Sequence, residues 1–110
     1  GAGRASSRTV ARVGKILSGR EGDTSAAGEN WPMRVLAAGA LGRLGAAGAG
    51  AQAGQLLTDA ATTDPYAFVR QAALSALASF DRVAAQGLAR RMAASDPEPK
   101  VREAAAALAQ

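Results

Sequence analysis

Arg34, Arg70 and Arg102 recur along this chain at near-even intervals, and two of them stand six residues after an aspartate, Asp64 and Asp96. A guanidinium is a planar fork that grips a carboxylate or a phosphate through two parallel N–H bonds. Three such forks in a row can therefore bind phosphate, or they can pair with the aspartates inside the fold. Each arginine lies beside the apolar stripe of its segment and near its start, so the internal pairing is the preferred reading. A second basic series, Arg4, Arg8, Arg12 and Lys15, follows helical spacing. It makes a stripe opposite Val10, Val13 and Leu17, which suits nucleic acid or an acidic partner, or else the solvated face of an end helix. No aromatic interleaves with these charges, so base stacking there is unsupported. A third row is Arg82, Gln86 and Arg90, spaced by four, with Gln52 and Gln55 on the segment before it.

Catalytic chemistry has few residues to work with. The chain has no cysteine and no histidine, which removes thiolate nucleophiles, imidazole bases and the usual zinc, copper or haem ligands. Its nine acidic residues are scattered, without the spacing of a calcium loop. The glycine-rich stretch 45–54 lacks the Lys-Ser/Thr of a phosphate-cradling loop. The expectation is a protein without catalytic residues, cofactor or metal. No apolar run reaches the length of a membrane span and no secretory leader opens the chain, so the expected setting is cytoplasmic with no membrane partner.

The elements that must position these residues are helical. Of the 110 residues, 48% are hydrophobic but only 4% aromatic, and most of the apolar share is alanine, the best helix former. After Asp64-Pro65, an N-cap and first-turn signal, Val69, Ala72, Ala73, Ala76, Leu77 and Phe80 fall on one face. After Asp96-Pro97 the template returns with Val101, Ala104, Ala105, Leu108 and Ala109. Earlier, Met33, Leu36, Ala37, Ala40, Leu41 and Leu44 keep the same spacing. Between these lie second helices carrying Ala53, Leu56, Leu57 and Ala60, then Ala84, Leu88 and Met92. A period in the mid-thirties marks a repeat array whose units bury their faces by stacking. The reading is a single all-α domain of about six helices: a leading basic helix over 1–18, a flexible loop over 19–30, repeats over 31–63 and 64–95, and a half repeat over 96–110.

With "DPYAFVRQAA" echoed by "DPEPKVREAA", and "GALGRLG" at 39–45, residues 31 to 110 resemble the HEAT-repeat family, above all its short bacterial PBS-lyase-like branch. The resemblance implies a short α-solenoid of antiparallel helix pairs. It also implies that Asp64 with Arg70, and Asp96 with Arg102, build hydrogen-bonded ladders between repeats. The first repeat departs, since Gly28 stands in place of the aspartate and Glu29 or Asn30 would have to substitute. In the family the second helices line the concave surface, which makes Gln52, Gln55, Arg82, Gln86 and Arg90 the expected protein-binding surface.

The leading expectation is thus a scaffolding or protein-interaction module. The alternative is nucleic-acid binding through the leading helix and the groove, as in longer HEAT-like glycosylases; a lyase role rests on analogy alone. Trp31 and Tyr66 stay open between plugging the core and serving as interface anchors. The start at Gly1-Ala2-Gly3 reads as a tag scar or a cut from a longer protein. The last helix, ending at Gln110 without a second helix to cover it, leaves room for another repeat or for self-association.

Overall fold

The computed structural model of the chain describes residues 7–18 and 31–110. Within them the fold is all-α. The helices are α1 (Ser7–Leu17), α2 (Trp31–Leu44), α3 (Gly50–Thr63), α4 (Ala67–Ala78), α5 (Arg82–Ser95) and α6 (Pro99–Ala109). The segment Gly45–Ala49 connects α2 to α3 and leaves helical geometry at Gly48, so α2 and α3 are two separate helices. Arg4 and the 19–30 connection lie outside the described residues.

Helix α4 packs against α2 on one side and α6 on the other, while α1 and α3 pack together and α5 pairs with α4 and α6. The molecule measures 40 × 34 × 15 Å. Two helix layers about 8–10 Å apart, each with a backbone radius of about 2.3 Å, account for that smallest dimension.

Small side chains let the helices approach closely. Ala37, Ala38, Ala53, Ala61, Ala73, Ala85, Ala89 and Ala105 are buried, and Leu41, Leu57, Leu74, Leu77 and Leu88 fill the gaps between them. Where α2 crosses α4, a Cβ on Gly42 would lie 3.2 Å from both the Cβ and the carbonyl oxygen of Ala76. Where α1 crosses α3, a Cβ on Gly14 would come within 2.8 Å of Leu56 Cδ1.

The apolar spacing of α2 misleads about its rotation. Met33 and Leu36, expected in the buried stripe, are 54% and 67% exposed. The buried face runs instead through Arg34, Ala37, Ala38, Leu41 and Gly42. The reason is steric and electrostatic at once: Arg34 turns inward, and the residues three, four, seven and eight positions on, Ala37, Ala38, Leu41 and Gly42, share its face and bring α2 against α4. A smaller rotation applies to α5, where Ala84 is exposed and Ala85 and Ala89 are buried beside Leu88 and Met92.

The Asp-Pro signals also act differently from the N-cap reading. Asp64 closes α3, its backbone N–H donating to the Ala60 carbonyl, and Asp96 closes α5 through Met92 in the same way. Both have near-identical extended backbones, φ −65°, ψ 135° and φ −64°, ψ 136°. A following proline clashes with the α conformation of the residue before it, which imposes this stop. The next helix starts only after Tyr66 or Glu98, and it is Pro99, not Pro97, that occupies a first helical position.

The turn from α2 to α3 needs glycine at one point. Gly48 has φ +120° and is the one residue with positive φ among those described. Side chains with a Cβ are strained there. Gly48→Ala should therefore cost about 1–2 kcal/mol, seen as a fall of several degrees in the thermal unfolding midpoint by circular dichroism.

Candidate functional site

The charged residues at the centre of the molecule form a directional chain. Asp64 turns its carboxylate inward because its own backbone ends α3, with Oδ1 accepting the N–H of Tyr66 two residues on, at 2.9 Å. Arg34, from the first turn of α2, then donates Nε to Asp64 Oδ2 at 2.8 Å and Nη2 to Oδ1 at 3.1 Å. One repeat later Asp96 Oδ1 accepts the N–H of Glu98, and Arg70 donates Nε to Asp96 Oδ2 at 2.9 Å and Nη2 to Oδ1 at 3.0 Å. Arg70 also donates Nη1 backward to the Asp64 carbonyl at 2.9 Å, and Arg102 does the same to the Asp96 carbonyl at 2.7 Å.

The partner six residues behind Arg70 and Arg102 is thus a backbone carbonyl, while the carboxylate of that same aspartate, Asp64 or Asp96, belongs to the arginine of the preceding repeat. Asp64 meets Arg34 and Asp96 meets Arg70, a pairing the six-residue spacing does not reveal. Arg34, which has no aspartate six residues before it in sequence, is fully part of the chain.

All four residues of the two ion pairs are buried: Arg34, Asp64, Arg70 and Asp96 keep at most 8% of their surface. Charges removed from water need paired and saturated hydrogen bonds to survive there, and no buried side-chain polar atom among the described residues lacks a partner. Burial alone raises the pKa of Asp96. The hydrogen bonds from Arg70 and the Glu98 N–H, with the positive charges of Arg70 and Arg102, outweigh it and hold the carboxyl below its ordinary value. Forks already filled by carboxylates are closed to phosphate, so Arg34 and Arg70 serve the scaffold.

What the ladder positions is a pair of grooves. The larger, about 880 Å³, runs between α1 and α3. Lys15 from α1 and Gln52, Gln55 and Asp59 from α3 border it, Leu56 and Ala60 line it, and the Arg34–Asp64 pair sits at one end. A smaller groove of about 410 Å³ lies between α3 and α5, lined by Thr62, Arg91 and Ser95 and ending at the Arg70–Asp96 pair.

Helix α1 plays the same part as the second helices. Its buried residues Val10, Gly14 and Leu17 keep the four-then-three spacing of Ala53, Leu57 and Ala60 in α3, and of Ala85, Ala89 and Met92 in α5. Three helices of one kind thus flank the two grooves.

The expected binding row is split by this geometry. Gln52 and Gln55 line the α1–α3 groove, and none of Arg82, Gln86 and Arg90 does. Arg82 and Arg90 are exposed on α5, and Gln86 Nε2 reaches 3.4 Å from the Gln110 carbonyl at the end of α6. On α1, Arg8, Arg12 and Lys15 are all exposed. Trp31 is half-buried, its ring stacked on both Tyr66 and Phe68 with centroids 5.6 Å away in each case. It anchors the start of α2 to the start of α4.

Sequence reasoning missed Lys15 and Asp59 as borders of a shared groove, and Arg91 in the second. The signal available was Gly14: a glycine on the apolar side of an alanine-rich helix marks the point of closest approach by a neighbour. Among the described residues, no three acidic side chains gather as a metal would require, and no helix is long and apolar enough to cross a membrane.

No protein-family model matches the chain, nor does any curated protein or solved structure.

Two outcomes test the ladder. Arg70→Ala strips the carboxylate of Asp96 of its fork and should cost about 3–5 kcal/mol in urea unfolding; Arg102→Ala removes one hydrogen bond and should cost about 1–2 kcal/mol. For Asp96 the folded pKa lies below the unfolded value, so its stabilisation is complete above that value and is lost as pH falls through the folded one. Asp96→Asn should therefore be less stable than the parent at neutral pH, with the two stability curves converging in acid below about pH 4.

Proposed function

We propose that this chain is a non-catalytic protein-interaction module, a short HEAT-like α-solenoid that works in the cytoplasm and holds a partner on the surface of its second helices. The observation that carries the reading is the α1–α3 groove, where Lys15, Gln52, Gln55 and Asp59 stand over apolar residues. Polar groups that fix orientation above an apolar floor are the usual make-up of a recognition site. The buried ion pair at the groove's end holds its walls in place, so a partner need not pay for ordering them. The HEAT-like assignment is supported by the recurring Asp-Pro turns, by the helix pairs and by the ladder that joins one to the next.

A photo-crosslinking amino acid at Gln52 or Gln55 tests the surface. It should capture one discrete protein in the source cells, and capture should fall at least about tenfold with Lys15→Glu plus Asp59→Lys, as for charges central to an interface. Equal capture from exposed Ser75 on α4, or no capture from the groove, would sink the assignment.

A second reading has its own observation, the unbroken exposure of Arg8, Arg12 and Lys15 along α1 in a chain of net charge +4. These side chains suit phosphate backbones of nucleic acid. Binding of this kind weakens with salt by a log–log slope of about −0.9 per phosphate contacted. Fluorescence anisotropy with labelled duplex and single strands should show that dependence, and Arg8→Ala plus Arg12→Ala should flatten the slope by about two contacts. Absence of binding at low salt removes this reading.

A further inference from the structure

Lys15 and Asp59 carry opposite charges on the two walls of one groove, yet neither pairs with the other or with any other described side chain. Arg91, in the groove on the far side of α3, is likewise unpaired among the described residues. The three charges stand at nearly one height. Asp59 and Arg91 each lie five residues before the aspartate that closes their helix, Asp64 and Asp96. Lys15 lies two residues before Leu17, the buried position that answers to Ala60 in α3, and so is one residue from the level of Asp59. A line drawn across α1, α3 and α5 therefore meets a positive, a negative and a positive charge.

The same line crosses α5 where its surface is low. Gly87 lies one turn before Arg91 on the same face, as Gln55 lies one turn before Asp59 on α3. Gly14 and Gly42 are required by neighbours that would crowd a Cβ. A Cβ on Gly87 would meet nothing within 4 Å among the described residues, and its φ is not positive. Glycine is less favourable than alanine inside a helix. Neither packing nor backbone geometry asks for it at this position, whereas a chain passing close over α5 does.

Charge and spacing choose the guest. A nucleic-acid strand carries a phosphate at every step and would set one against Asp59. A helix has its backbone groups bonded internally and offers nothing to the amides of Gln52 and Gln55, which are exposed and make no hydrogen bond among the described residues. A polyproline-II segment leaves its backbone groups free, and its side chains at i, i+3 and i+6 fall on one side about 9 Å apart. Packed helices lie about 8–10 Å apart. The two spacings agree, so successive turns of such a segment set one side chain over each of α1, α3 and α5.

We infer, on the basis of the interaction reading proposed above, that the partner presents an extended segment in polyproline-II conformation with the pattern acid-x-x-base-x-x-acid. It crosses the axes of α1, α3 and α5. One carboxylate meets Lys15, the central base meets Asp59, and the second carboxylate meets Arg91. Exposed Arg12 and Arg90 reinforce the two acid positions. The amides of Gln52 and Gln55 bond the backbone of the segment, and the open surface at Gly87 lets it lie close.

The probe is a capped peptide, Pro-Glu-Pro-Pro-Lys-Pro-Pro-Glu-Pro, added to the isotope-labelled full chain and followed by NMR, which detects binding as weak as millimolar. A control of identical composition, Pro-Glu-Pro-Pro-Glu-Pro-Pro-Lys-Pro, moves an acid to the centre. The first peptide should give saturable shifts on α1, α3 and α5, and the control should bind at least about tenfold more weakly. Asp59→Lys should reverse that preference, which a folding defect cannot imitate. Gly87→Gln should leave the thermal unfolding midpoint unchanged or higher and still weaken the first peptide about tenfold or more. Equal binding of the two peptides, an unreversed preference in Asp59→Lys, or no shifts at millimolar peptide overturns the proposal. So does a duplex or single strand whose binding Gly87→Gln abolishes, since a nucleic acid would then be the occupant. If the peptide fails while crosslinking from Gln52 or Gln55 still captures a protein, the charge pattern is wrong and the interaction module stands; if both fail, the module falls too.

Discussion

Two arginines and two aspartates buried among alanines impose the main constraint on this molecule. A guanidinium or a carboxylate costs several kcal/mol to bring out of water and is tolerated only when every donor and acceptor is met. Arg34, Asp64, Arg70 and Asp96 meet that requirement through bidentate bonds and turn N–H groups. Satisfying it ties each first helix to the turn that closes the following second helix. Helix rotation, helix ends and groove positions all follow from that tie.

Such pairs add specificity where the packing adds little. Half of the buried apolar residues are alanines, which offer few protrusions with which one helix can lock onto another in a single register. The bidentate geometry supplies the missing register, since a shift of one residue along α2 or α4 would carry the guanidinium away from its carboxylate. The same logic explains why Met33 and Leu36 face outward: on α2 the placement of Arg34 and the close contact at Gly42 outrank the burial of two larger side chains. With register set from within, the exposed residues of α1, α3 and α5 are left to vary without cost to the fold. That is where Lys15, Gln52, Gln55 and Asp59 stand.

The helical class, the repeat and the residues of the ladder were legible because they rest on local rules. Alanine content, apolar spacing and Asp-Pro punctuation are short-range signals, and each occurs more than once. The candidate site was less legible. Gln52 and Gln55 read as continuous with Arg82, Gln86 and Arg90 because all lie on second helices. Their separation depends on which side of α3 faces α1 and on Gln86 turning toward Gln110. Both are facts of packing between elements far apart in the chain.

The sequence by itself determined that this protein is helical, that its units repeat, and that an aspartate followed by proline punctuates them, because a proline restricts its own backbone and that of its predecessor wherever it occurs. Only the tertiary structure decided that those aspartates close helices rather than open them, that each carboxylate answers the arginine of the preceding repeat, and that α1 joins α3 to frame a groove. The physical reason is that a fork with two ends, one for a carbonyl and one for a carboxylate, has its near partner written in the local chain and its far partner set only by what packs beside it.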